Sequence, residues 1–152
     1  HARFYHIGKD LSGRNSRYAA YLSGQVRQMG LQEVFTFLGS ISNAQSVLDN
    51  FDALVLPSER EPFGRVVVEA WLAGKPVIVS DCGGPAELVT HGINGLVFES
   101  GNASELAASM EKLIQYASLR EQLGAAGRAK ACEFSVDNHT RAVCEVYERL
   151  LA

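Results

Sequence analysis

Short apolar runs alternate with stretches of helical spacing along this chain. One run covers 2–7 and closes at Gly8; a second, 34–38, closes at Gly39. Ala53-Leu54-Val55-Leu56 stops at Pro57-Ser58, Pro76-Val77-Ile78-Val79 stops before Asp81, and Leu96-Val97-Phe98 follows the turn signal Asn94-Gly95. Such runs, bounded by Gly or Pro, predict strands, and the continuous ones predict burial on both faces. Between them, 13–28 reads as a helix with Tyr18, Tyr21, Leu22 and Val26 on its inner side, stopped by Gly30. Ser42-Asn43-Ala44-Gln45 fits a capping box for a helix over 43–50. The stretch 65–73 is helical, with Gly74 as its C-terminal cap. Asn102-Ala103-Ser104-Glu105 and Ser118-Leu119-Arg120-Glu121 open helices over 102–116 and 118–133, the first with Leu106, Met110, Leu113 and Ile114 inward. Ser135 opens a final helix with the stripe Val136, Val143, Val146, Tyr147 and Leu150. The alternation predicts an α/β fold, a parallel sheet with helices on both faces and a helical C-terminal end.

Composition narrows the class. At 152 residues the chain reads as one ordinary domain, and 47% hydrophobic with 20% charged is globular rather than disordered. A net charge of −3 offers no basic composition for nucleic acid or an anionic membrane. Cys82, Cys132 and Cys144 are odd in number and lack metal spacing, so they read as reduced thiols of a cytoplasmic protein. The histidines form no metal-ligand pattern, and no metal site is expected. Gly8-Lys9-Asp10-Leu11-Ser12-Gly13 matches neither phosphate-loop spacing and reads as a loop after a strand, which also argues against a dinucleotide oxidoreductase.

The stretch 57–87 carries the chemistry. It reads strand, loop, helix, strand, and in such a unit ligands sit at the carboxyl ends of the strands beside helix N-termini. Val66, Val67, Val68, Ala70, Trp71, Leu72 and Ala73 make the helix apolar on nearly every side, which predicts burial all round. Glu69 is the acidic residue within it. A buried carboxylate must be paired, protonated or hydrogen-bonded. Two readings stand: a structural pair with a neighbouring group, or a carboxylate that holds ligand hydroxyls. Glu61, before the helix, would share its pocket, one carboxylate at the mouth and one along the wall. Asp81-Cys82-Gly83-Gly84-Pro85 is a turn into a short helix, where two glycines let backbone approach a ligand and Glu87 suits the helix dipole. Cys82 has no histidine or basic neighbour in sequence to make it a nucleophile.

Glu61-Pro62-Phe63-Gly64 followed by Glu69 resembles the E-x7-E motif of retaining glycosyltransferases of the GT-B fold, and in particular glycosyltransferase family 4, or group 1. Pro57-Ser58, Glu69-Ala70, Gly74-Lys75-Pro76-Val77, Gly83-Gly84-Pro85-Ala86-Glu87 and Asn94-Gly95-Leu96-Val97 fall in that family's order. The resemblance implies the C-terminal, Rossmann-like half of a GT-B fold, which binds the nucleotide-sugar donor. It makes Glu61 the catalytic carboxylate and gives the donor sugar to Glu61, Pro62, Phe63 and Gly64. It assigns phosphate to the amides of Gly64, Arg65, Val66 and Val67, and the ribose hydroxyls to Glu69. It also assigns the nucleotide base to Gly39, Ser40 and Ile41. The implied reaction is retaining transfer of a hexosyl group to an alcohol, with no metal or other cofactor.

In the resembled family an arginine and a lysine in the first βα segment neutralise the diphosphate, and a histidine-bearing N-terminal half binds the acceptor. Neither segment is in these 152 residues. The reading is therefore of a single domain, 1–152, belonging to a longer protein, with the N-terminal acceptor domain as its partner. Membrane contact of the full-length protein would belong to that other half. Alone, the chain is expected to bind donor weakly and to catalyse nothing. The last helix is expected to expose part of its apolar stripe, because in the resembled family it packs toward the other half. A second class stays open, a non-catalytic flavodoxin-like binding or regulatory domain. Its phospho-receiver form is poor, since Pro57-Ser58 ends the third strand where an aspartate is needed. A phosphorylase would need a Schiff-base lysine, and Lys75 beside Pro76 reads as a surface loop residue.

Overall fold

The computed structural model describes residues 2–8, 16–42 and 44–151. They belong to two compact units, His1–Ala44 and Gln45–Ala152. The glycine-bounded loop read at 8–13 lies almost wholly outside the described residues, as does Asn43 of the first capping box.

The first unit holds β1 (Phe4–Ile7), α1 (Ser16–Gln28) and β2 (Phe35–Gly39). β1 and β2 run parallel, with Phe4 opposite Phe35 and His6 opposite Phe37. The register puts like rings side by side: Phe4 and Phe35 stack at 6.4 Å, and His6 meets Phe37 at 5.5 Å. The inner stripe predicted for α1 is half right. Leu22 and Val26 are partly buried, but Tyr18 and Tyr21 are 57% and 58% exposed and stack on each other at 6.3 Å. A phenol tolerates water at its polar tip, so helical spacing alone does not force a tyrosine inward.

α2 (Ala44–Leu48) begins at the last residue of the first unit, and the second unit goes on with β3 (Leu54–Leu56), α3 (Arg65–Leu72), β4 (Val77–Ser80), α4 (Gly84–Leu88) and β5 (Leu96–Phe98). It then continues through α5 (Ala103–Gln115), α6 (Ala117–Ala131), a 3-10 turn (Cys132–Phe134) and α7 (Val136–Leu151). Its sheet has the order β3-β4-β5, all parallel. β4 is central, and all four of its residues are buried. Val77 and Val79 pack with Val67, Ala70 and Trp71 of α3, whereas Ile78 packs with Leu113 of α5 and Leu123 of α6. Alternate residues of one strand thus feed two cores, which is why the run reads as continuously apolar.

α3 is built by packing, not propensity. Val66, Val67 and Val68 are β-branched and disfavour a helix slightly. Burial of Val67, Ala70 and Trp71 on one face overrides this. The helix closes as the sequence predicts: Lys75 N donates to Ala70 O and Gly74 N to Trp71 O, each at 2.8 Å, the paired bonds of a Schellman cap. It is not buried all round as its apolar sequence predicts, however. Arg65 and Leu72 are exposed, and Glu69 is only partly covered.

Trp71 sits at the centre. Its side chain is fully buried, and Nε1 donates to Asn94 O at 2.9 Å. Asn94 is more than the turn signal its pairing with Gly95 suggests. It is buried, its Oδ1 accepts from Thr90 N at 2.7 Å, and its Nδ2 donates to Leu88 O at 3.3 Å. On the other side α6 brings Gly127 against the indole ring and Gly124 against the Gly74 carbonyl. Both glycines were silent in the sequence.

The helical tail differs in detail from its predicted form. Asn102 caps α5, accepting from Glu105 N at 3.1 Å, but Ile114 is exposed. α6 starts at Ala117, so the capping box at Ser118 lies inside the helix, and Tyr116 precedes it without a side-chain cap. Arg120 instead reaches back, its Nη1 donating to Leu113 O at 2.5 Å. Past Ala131 the helix tightens into the 3-10 turn. Ser135 opens α7, its Oγ accepting from Asn138 N at 3.2 Å. Val136, Val143, Val146, Tyr147 and Leu150 are all exposed, more than the partial exposure expected for this helix.

Gly127→Ala tests the central packing. A Cβ there would meet the Trp71 ring at Cγ within 2.8 Å, and the ring cannot yield without displacing α3. Overpacking of this kind costs about 1–3 kcal/mol. Urea unfolding should show that loss, and an unchanged midpoint would mean that α3 and α6 do not approach this closely.

Candidate functional site

β3 and β4 end side by side, and the loops that leave them are joined. Ser80, at the end of β4, donates from Oγ to Ser58 O at 2.5 Å. Gly84 N donates to Glu61 O at 3.0 Å. A Cβ on Gly84 would lie 2.5 Å from Phe63 Cα and from Pro62 O, and one on Gly83 would run into Glu61 O. The two glycines read as an approach for ligand are therefore used by loop against loop. Backbone of 61–63 fills the space that their missing side chains leave. Glu87 stands in the first turn of α4, as read from the sequence.

The start of α3 is set by Gly64, which caps it at φ 86° and ψ 49° in the left-handed region that a side chain disfavours. A Cβ there would also come within 2.7 Å of Pro85 Cγ. No side chain caps the helix from the Gly64 position. Glu61 reaches across instead, its Oε1 accepting from Gly64 N at 3.0 Å. Val67 N donates to Gly64 O at 2.8 Å. Of the amides assigned to phosphate by resemblance, two are thus engaged within the chain. Those of Arg65 and Val66 have no hydrogen-bond partner among the described residues. They stand in the first turn, where the helix carries partial positive charge.

Glu69 departs from its predicted setting. Its side chain is 29% exposed, and its Oε1 lies 3.4 Å from Nη2 of Arg65, which is 86% exposed. The pair is an i, i+4 contact along the open side of α3. The buried-charge argument fails because only one face of the helix meets the core, and Glu69 lies off that face. The carboxylate is on the same helix as the free amides and remains open to water.

An open hollow of ≈ 630 Å3 adjoins these loops, lined by residues 59–62 and 81–83. Arg60 is the cation among its lining residues. Glu61 borders it; Arg65 and Glu69 do not. Asp81 fixes its far wall, with Oδ1 accepting from Ser100 N at 2.9 Å. Phe63 is 43% exposed and meets Phe134 edge-on, ring centroids 6.0 Å apart. Ser80, Pro85 and Phe134 shape the site without having been singled out in the sequence; only the Gly-Gly-Pro series hinted at Pro85. Gly39, Ser40 and Ile41 belong to the first unit, at the end of β2, where Gly39 O accepts from Gly8 N at 2.9 Å. Lys75 Nζ donates to Asp49 O at 3.0 Å on the surface. Cys82 is partly buried, and Cys132 and Cys144 are exposed.

Residues 7–130 match the sequence profile of the family described as Glycosyl transferases group 1. The chain belongs to this family. The lipopolysaccharide core biosynthesis glycosyltransferase LpsD of Rhizobium meliloti (strain 1021) is 36% identical over 126 residues, which are 82% of this chain and 37% of that protein. Anabaena Alr3699/HepE, crystallised in complex with UDP, matches with a TM-score of 0.91 at 31% identity, over 97% of this chain and 41% of that one. Its complex with UDP-glucose matches with a TM-score of 0.88. Sucrose-phosphate synthase from Thermosynechococcus elongatus matches at 26% identity with a TM-score of 0.85, over 97% of this chain and 38% of that one. The group 1 chain thus spans 37% to 41% of the length of these relatives. Its fold is the Rossmann-like α/β architecture of GT-B glycosyltransferases, with a helical C-terminal end. Among the described residues no helix is long and apolar enough to cross a membrane.

The exposed Arg65–Glu69 pair gives a direct check on Glu69. Pairs of this kind are worth about 0.3–0.5 kcal/mol. Arg65→Ala and Glu69→Gln should each leave stability within roughly that margin in urea unfolding. A loss of about 3 kcal/mol would mark a charge buried in the folded protein.

Proposed function

We propose that this chain is the donor-binding half of a retaining glycosyltransferase that moves a hexosyl group from a nucleotide sugar to an alcohol. The observation that carries the reading is the start of α3. Two free amides, of Arg65 and Val66, stand there at the C-terminal end of a parallel sheet, flanked by Glu61 and Glu69. The site supports anion binding because free N–H groups and the helix dipole act together. The likeness to Alr3699/HepE, crystallised with UDP and with UDP-glucose, supports a nucleoside diphosphate as that anion.

In this reading the bond from the sugar's anomeric carbon to the diphosphate breaks and a bond to the acceptor oxygen forms on the same face. The hydroxyl proton of the acceptor is released, and the nucleoside diphosphate leaves. Its growing negative charge falls to the amides of Arg65 and Val66, with Gly64 letting phosphate come close. Glu61, with Pro62, Phe63 and Gly64, holds the sugar, and Glu69 holds the ribose hydroxyls. Since Gly64 N and Val67 N are already bonded, they contribute by shaping the turn. Gly39, Ser40 and Ile41 are the proposed contacts to the base. No metal or cofactor has a part in the proposal. Acceptor binding and any contact with a membrane surface are assigned to the other half of a cytoplasmic protein.

Ligand-observed NMR of the full-length protein with UDP, GDP, ADP and their sugars tests this. One nucleotide should bind, and Glu69→Ala should weaken it about 10- to 100-fold, the worth of hydrogen bonds to a charged group. Affinity unchanged in both Glu61→Ala and Glu69→Ala would favour a non-catalytic binding domain. The isolated 152 residues should show no turnover, and measurable transfer by them would sink the division of labour proposed here.

A further inference from the structure

The 61–64 loop is held on its inner side by Gly83, Gly84 and Pro85. On its outer side it offers the Phe63 ring, and what meets that ring comes from the far end of the chain. Phe134 approaches it at an interplanar angle of 70°, the edge-to-face geometry that aromatic pairs favour. Both rings remain partly exposed, Phe134 at 37%, so the contact adds little to the core.

Phe134 is carried by a turn that is fixed without help from Phe63. Asn138 Nδ2 donates to Cys132 O at 3.1 Å and to Glu133 O at 3.4 Å, tying the 3-10 turn to the first turn of α7. Lys130 Nζ meets Glu133 Oε2 at 2.6 Å, tying it to the end of α6. A ring on a fixed turn limits the travel of a ring on a loop. Phe63 lies between Glu61 and Gly64, whose carboxylate and amide are joined at 3.0 Å. Displacement of the Phe63 backbone would change that distance.

We infer that Phe134 is a positioning residue for the donor loop. Through Phe63 it holds Glu61 and Gly64 in the arrangement that receives the sugar and the diphosphate. The ligand part of this inference rests on the proposed donor site; the loop part does not.

Backbone amide NMR and nucleotide titration of the full-length protein, as wild type, Phe134→Ala, Phe134→Leu and Phe134→Tyr, test it. Phe134→Ala should shift the amides of Phe63 and Gly64 without ligand and weaken the nucleotide bound by wild type about three- to tenfold. Phe134→Tyr should restore both, and its unfolding midpoint and that of Phe134→Ala should stay near wild type. Phe134→Leu, which keeps apolar bulk without the ring, stands in if the alanine variant does not fold. Unmoved loop amides overturn the inference, as do moved amides with unchanged affinity. A wild type that binds none of UDP, GDP and ADP overturns the donor reading, and the loop amides then still decide whether Phe134 positions the loop.

Discussion

The second unit depends on the burial of one indole. Trp71 is enclosed by β4, by Gly127 of α6 and by the loop that brings Asn94 to its N–H. Removing such a ring from a core costs about 3–5 kcal/mol. The hydrogen bond adds to the area, because a buried N–H without an acceptor carries its full desolvation cost, about 1–3 kcal/mol. The Trp71–Asn94 bond therefore makes the packing of α3 conditional on the conformation of the loop before β5. Asn94 in turn is held by Thr90 and Leu88, so α4 is drawn into the same arrangement. With α3 fixed at Trp71, its N-terminus has little freedom. The Arg65 and Val66 amides stand about one and a half helical turns from that packing contact.

The loops at the strand ends convert that rigidity into a shape. The inner side of the 61–64 loop is set without ordered side chains, each of which would carry an entropic cost. Here 61–63 lies backbone to backbone on Gly83 and Gly84, and Gly64 lies on Pro85. Few rotatable bonds intervene. The arrangement also accounts for the small, open hollow beside the loops: the cleft is shaped by main chain and lined on one side by Arg60 and Glu61.

Much of this was legible in the sequence because the signals are local. Apolar runs bounded by Gly or Pro marked the strands, and Gly74 marked the end of α3 through its own backbone. The E-x7-E spacing and the series around it marked the family. What was not legible is what depends on which side of an element faces the core. Glu69 sits among apolar residues in sequence, yet α3 buries only Val67, Ala70 and Trp71, and the carboxylate lies off that stripe. Gly83 and Gly84 announce close approach, and the approach is real, but the partner is the chain itself. Gly124 and Gly127 carried no signal in the sequence and are contact surfaces. Ser118 fits a capping box that the chain does not use, since Tyr116 takes the position before α6 and Arg120 satisfies carbonyls at the end of α5. For the glycines the partner lay too far along the chain to be read; for Glu69 and Ser118 it was the orientation of the helix and its true start that the sequence did not disclose.

The bond from Gly64 N to Glu61 Oε1 bears on how such a site stays both formed and available. An ionised carboxylate only accepts, and an amide N–H only donates, so the two satisfy each other when no ligand is present. A sugar hydroxyl both donates and accepts. Placed between them, it donates a hydrogen bond to Glu61 and accepts one from Gly64 N, so that one internal bond is exchanged for two. Neither group is orphaned on either side of the exchange. A loop with an apolar residue at 61 would lose the bond that holds Gly64 N. On the donor reading, then, Glu61 holds the turn in the absence of sugar by the same lone pair with which it later accepts from the hydroxyl.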